Sequence, residues 1–153
     1  MNREILFRGK RLDNNEWLYG SHFTDSGEDY IIPQNLLGIN DYEEYQVDQN
    51  TVGQFTGLRD KNGRKIYEGD VVRRKDSAYG MEDIGVVKFD CSLGAFVLES
   101  ENRGRTYRAV FKKGFSDNDG KCTIEGTYSY ELLGNVYDNP ELLKKFDKDP
   151  FNE

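Results

Sequence analysis

The stretch Thr56-Gly57-Leu58-Arg59-Asp60-Lys61-Asn62-Gly63-Arg64-Lys65-Ile66-Tyr67-Glu68-Gly69-Asp70-Val71-Val72 constrains the fold more than any other part of the chain. It sets two tight turns and the opening of a β-branched strand in immediate succession. Asp60 to Gly63 reads as a turn with a glycine free to take positive φ, and Glu68-Gly69-Asp70 as a second turn feeding Val71-Val72. Turns this close together favour short strands that return on one another.

With 153 residues the chain has the size of one domain and can bury roughly two thirds of its unfolded surface. It reads as a single domain over 1–153, with a possible subdivision into an N-terminal β segment, 1–51, and a core with a terminal helix, 52–146. The hydrophobic fraction of 36% is low, but 13% aromatic residues supply bulky groups to bury. No run of about 18 apolar residues exists and the start Met1 to Arg8 carries charges, so neither a membrane span nor a secretory leader is expected. A cytoplasmic location in a host cell follows, with Cys91 and Cys122 reduced and unlinked.

The net charge of -7 disfavours a general polyanion-binding surface. The charge is segregated. Asp25, Glu28, Asp29, Asp41, Glu43, Glu44 and Asp48 fall in a stretch without a single Lys or Arg, whereas Arg59, Lys61, Arg64, Lys65, Arg73, Arg74 and Lys75 outnumber Asp60, Glu68 and Asp70. Such blocks can meet within a chain or between subunits.

Along the chain, Ile5 to Arg8 and Trp17 to Gly20 read as a hairpin around Asp13-Asn14-Asn15-Glu16. Tyr30-Ile31-Ile32 is a short apolar run stopped by Pro33, an edge or a strand end. Further strands are expected at Glu44 to Val47, Val52 to Thr56, Val71 to Arg74, Gly85 to Phe89, Ala95 to Glu99, Arg105 to Phe111 and Glu131 to Tyr137, the last with a bulge at Gly134. Lys75 to Asp83 and Gly114 to Gly120 read as loops. Asn139 as N-cap and Pro140 at the first helical position predict a short helix from Pro140 to about Phe146.

Candidate chemistry is sparse. His22 is the only histidine, no nucleophile elbow accompanies it, and a satisfied structural histidine is the simpler reading. A zinc site would need Cys91, Cys122, His22 and a carboxylate from distant positions. Asp117-Asn118-Asp119-Gly120 resembles part of a calcium loop, but the twelfth position is Tyr128 where a glutamate is needed. The glycines at 57, 63 and 69 border strands and form no phosphate-binding loop. No metal or cofactor is therefore expected. Arg73-Arg74-Lys75 beside Tyr67, Tyr79 and Phe89 could serve single-stranded nucleic acid on a small β-barrel, yet strand alternation would send Arg73 and Arg74 to opposite faces.

Several blocks, in this order, resemble the YopX family of small phage and prophage proteins. They are Arg3 to Arg8 with Trp17, Val52 to Gly63, Ile66 to Val72, Gly85 to Phe89, Gly94-Ala95-Phe96, and Leu133 to Leu143. The resemblance implies a mainly β fold and a phage or integrated-element origin, and it brings no catalytic residues with it. The expected fold is antiparallel β, an SH3-like partly open barrel or sandwich over Val52 to Tyr137, with an N-terminal hairpin and one C-terminal helix. The expected function is a non-catalytic binding or self-assembling module. It would present Arg59, Lys61, Arg64, Lys65, Arg73, Arg74 and Lys75 to a neighbouring copy's Asp41 to Asp48 or to a host or phage protein. Single-stranded nucleic-acid binding is the alternative, and an enzyme with a carboxylate site the third reading.

Overall fold

A computed structural model describes residues 3–36, 41–77, 79–102, 104–110 and 128–144. Among them are eleven strands: β1 (Phe7–Lys10), β2 (Trp17–Asp25), β3 (Glu28–Ile32), β4 (Gln46–Val47), β5 (Gly53–Arg59), β6 (Lys65–Tyr67), β7 (Asp70–Asp76), β8 (Met81–Asp90), β9 (Ala95–Asn102), β10 (Arg105–Val110) and β11 (Tyr128–Asn135). One short helix, α1 (Glu141–Lys144), follows. The fold is mainly antiparallel β, as the turn spacing requires. The strands form two open sheets, in the orders β4-β3-β2-β1-β5-β6 and β10-β9-β8-β7-β11, so the described strands close no barrel. The chain divides into two compact units, residues 1–57 and 58–153. No helix of the described residues is long and apolar enough to cross a membrane.

In the first unit the hairpin continues further than its sequence suggests. β2 extends to Asp25 and returns as β3 through Ser26 and Gly27, both at positive φ (53° and 84°), the pair of left-handed residues that a two-residue hairpin turn needs. Ser26 hides this turn in the sequence because it lacks the usual Asn or Asp. β3 stops before Pro33, as expected, but lies between β2 and the two-residue β4. The segment from Glu44 is not all strand. Glu43–Tyr45 forms a 3-10 turn and only Gln46–Val47 pairs, with Asp29 and Tyr30. Leu6, Tyr30, Ile31, Ile32, Val47 and Phe55 are buried.

The second unit packs Ile66, Val72, Val87, Leu98 and Tyr130 into a core, with Leu58, Phe96, Tyr128 and Leu132 against it. Strand pairing explains this membership, since Val72 of β7, Val87 of β8 and Leu98 of β9 occupy one face of consecutive strands. The expected Lys75 to Asp83 loop is mostly strand: β7 runs to Asp76 and β8 starts at Met81, because Arg74 faces Asp83 and Lys75 faces Glu82 across the ladder. Opposite charges at facing positions extend the pairing where composition alone reads as a loop.

β11 carries the expected irregularity, its register against β7 shifting between Leu132 and Gly134. Asn139, expected as a helix cap, has a different role. Its backbone oxygen accepts from Leu142 N at 3.0 Å, while its side-chain oxygen accepts from Asn135 N at 3.3 Å and fastens the chain after β11. The loop at Gly114 to Gly120, the calcium-like Asp117 to Gly120, Cys122, Phe111, and the helix end at Phe146 lie outside the described residues.

Candidate functional site

The 60–64 turn is built around one carboxylate. Asp60, whose side chain is fully buried, accepts from Asn62 N (2.9 Å), Arg64 N (2.9 Å), Arg64 Nε (2.9 Å) and Leu132 N (3.2 Å). Burial acts to raise its pKa, but the hydrogen bonds outweigh it and hold the carboxyl below the ordinary range. Lys61 N donates to Tyr130 O and Arg64 to Leu132 O, so the turn grips β11. In the second turn Gly69 takes φ 83°, and Tyr67 N donates to the buried Asp70 at 2.8 Å. Turn geometry thus accounts for the Gly and Asp residues of this segment.

The candidate basic residues are spread over this framework rather than gathered. Arg59 donates to Gly63 O at 2.9 Å. Lys61 pairs with Glu131 at 3.4 Å and Arg64 with Asp60 at 2.8 Å. Arg73 lies between Glu82 (2.8 Å) and Glu131 (2.9 Å), while Arg74 turns to Asp83 (2.7 Å) and lies 5.1 Å over the Tyr128 ring. β7 alternation therefore separates Arg73 from Arg74. Lys65 is half-buried on β6, and Lys75 is exposed without an ion pair to a described residue.

In the first unit Arg11 pairs with Asp13, but the acids from Asp25 to Asp48 are met differently. Asp25 accepts from Tyr42 Oη (2.7 Å), Glu28 from Gln46 (2.7 Å), Asp29 from Thr24 (3.0 Å), and Asp48 from Asn50 N (3.0 Å). His22 Nε2 lies 2.6 Å from Asp29 Oδ1, and this contact leads the lowering of the Asp29 pKa. Glu44 acts on Arg11 through its field. Phe23, Tyr30 and Tyr42 pack ring against ring at 5.0 to 5.1 Å. His22 is half-buried between Asp29 and the Phe7 ring, 5.4 Å from it. The described residues contain no cluster of His, Cys, Asp and Glu fit for a metal.

One feature of the second unit escapes the sequence reading. A groove of about 290 Å³ is lined by Lys88, Phe89, Asp90, Cys91, Val97, Glu99 and Arg108. The register pairs Lys88 with Val97 and Arg108 with Glu99, so the charged residues share one face of β8, β9 and β10. Glu99 bonds both Lys88 and Arg108, and its pKa is held down first by Lys88 and then by Arg108. These residues are far apart in sequence, and only the pairing of three strands reveals them. That Val97 and Glu99 share one face of β9 was the available signal.

The YopX protein family model matches residues 6–144. The chain belongs to the YopX family. The match spans both units and includes the two turns that dominate the sequence. A search of curated proteins gives no significant match. The crystal structure of protein EF1440 from Enterococcus faecalis is similar over 93% of this chain and 99% of that one, at 20% identity and a TM-score of 0.37, too loose a likeness to support an inference.

Proposed function

We propose that this YopX-family chain is a non-catalytic binding module of a phage, prophage or related mobile element, acting by protein contact that includes association with its own copies. The observation that carries this reading is the unequal use of charge. Asp25, Glu28, Asp29 and Asp48 are met by a hydroxyl, amides and one imidazole rather than by a Lys or Arg, which leaves their charge to a cationic partner surface. Arg59, Lys61 and Arg64 display guanidinium or ammonium groups at the turn of a neighbouring copy, although Lys61 and Arg64 also hold intramolecular pairs. Arg73 and Arg74 project to opposite faces of β7, which weighs against one continuous phosphate-binding surface there.

Light scattering of the full chain at tens of micromolar tests the reading. Association is expected at low salt and should dissolve as salt is raised, because exposed charge contacts are screened within about 10 Å at 0.1 M. A monomer under both conditions overturns self-association. A low-salt mobility shift of single-stranded DNA, abolished when Arg73, Arg74 and Lys75 are neutralised together, would replace it with nucleic-acid binding.

A further inference from the structure

The β8–β10 groove has a chemical bias that its balanced charge conceals. Its two acids are largely withdrawn, with side chains 17% (Glu99) and 11% (Asp90) exposed, whereas Lys88 and Arg108 are 53% and 55% exposed. Glu99 has both oxygens committed, Oε1 to Lys88 Nζ and Oε2 to Arg108 Nε at 2.7 Å. Asp90 Oδ1 accepts from Ser92 N (2.9 Å), Ser92 Oγ (2.5 Å) and Leu93 N (3.3 Å). Asp90 Oδ2 remains, but it is 3.8 Å from Arg108 Nη1, an electrostatic contact beyond hydrogen-bond length.

The unspent capacity on the other side is larger. An ammonium offers three donors and a guanidinium five. Arg108 uses Nε on Glu99, leaving the Nη groups, and Lys88 has donors beyond the one given to Glu99. Val97, on the same face as Lys88 and Glu99, floors the groove, and Phe89 borders it from β8 while its ring lies on the opposite face, edge-to-face on Phe96 at a centroid distance of 5.3 Å. The volume lies at the lower end for small-ligand sites, about 300 Å³.

We propose that this groove binds a small oxyanion, a carboxylate or phosphate monoester, gripped by Arg108 and Lys88 in competition with Glu99. Glu99 then acts as a built-in rival that occupies the cations until the ligand arrives. Asp90 stays tied to its turn and repels a ligand that is not seated on Arg108.

Titration of the ¹⁵N-labelled full chain with benzoate and with phenyl phosphate, and with benzylamine as the opposite-charge control, tests this. Saturable shifts are expected at Lys88 to Cys91, Glu99 and Arg108 with at least one of the two anions, and none with benzylamine; the anion that responds identifies the preferred group. Arg108→Gln should weaken binding about tenfold, the loss of a charge-assisted hydrogen bond. Lys88→Gln should weaken it less. Glu99→Gln should tighten it several-fold by removing the rival, an effect that a purely structural Glu99 would not produce. No saturable shift with either anion overturns the proposal. So does an affinity unchanged in both cation variants, or equal response to benzylamine.

Discussion

The two units hold their carboxylates in different ways, and the contrast separates stability from availability. In the second unit Asp60, Asp83, Glu99 and Glu131 face Arg or Lys. In the first, Asp13 faces Arg11, but Asp25 and Glu28 accept from Tyr42 and Gln46. A neutral donor positions a carboxylate without cancelling its field, whereas a guanidinium does both. Asp25 and Glu28 therefore keep more of their field than the ion-paired acids do. The second unit spends much of its charge on itself.

The contrast can be broken most forcefully by disrupting one unit at a time. A Cβ on Gly20 would stand 1.8 Å from Ile32 O, and one on Gly85 2.4 Å from Glu99 O, backbone atoms that cannot rotate away. Gly20→Ala and Gly85→Ala should each destabilise their own unit by roughly 3 kcal/mol or more. Trp17, the single tryptophan, reports the first unit by fluorescence, and amide exchange of β7 to β9 reports the second. Equal loss in both units from either variant would show that they unfold as one.

Asp60→Ala comes next. It strands the donors of Asn62, Arg64 and Leu132, and about 3 kcal/mol should be lost from the second unit in denaturant unfolding. An unchanged midpoint would remove Asp60 as the anchor of the turn.

Acid should sharpen the comparison further. The folded pKa values of Asp60, Glu99 and Glu131 lie below their ordinary values of 3.8, 4.5 and 4.5. For Asp60 burial opposes the shift and the bonds from Arg64, Leu132 and Asn62 win; for Glu99 Lys88 leads, and for Glu131 Arg73. A depressed carboxyl pKa contributes stability above the unfolded value, and that contribution is lost as pH falls through the folded value. Asp29 shares the trend through His22. With more of its acids ion-paired, the second unit should lose exchange protection before the first as pH falls from about 4.5.

The smallest effects compare the two modes directly. Glu131→Gln breaks partly exposed pairs with Arg73 and Lys61, and Tyr42→Phe removes the bond to Asp25. Each should lower the unfolding midpoint slightly at low salt. Raising the salt should shrink the Glu131→Gln cost and leave that of Tyr42→Phe; equal salt dependence would refute the distinction between ionic and neutral anchoring.

Local chemistry was readable in advance where it was decided locally. The Asp60 to Gly63 turn, the stop at Pro33 and the bulge at Gly134 each rest on one or two residues whose backbone options are narrow. The hairpin at Ser26-Gly27 and the long β7–β8 ladder were less legible. Ser26 is an unusual left-handed residue, and the ladder continues because Arg74 meets Asp83 across it.

The sequence by itself determined a mainly antiparallel β chain of the YopX family, its strand-breaking turns and its segregated charge, all properties of neighbours along the backbone. Only the tertiary structure decided which cation meets which acid. Asp60 joins Leu132, Arg73 joins Glu131, and Lys88, Glu99 and Arg108 converge in a groove, because strand register fixes facing residues that are distant in the chain. Period-two alternation tells which residues can share a face, but pairing partners and their register are settled by how whole strands bury their apolar sides.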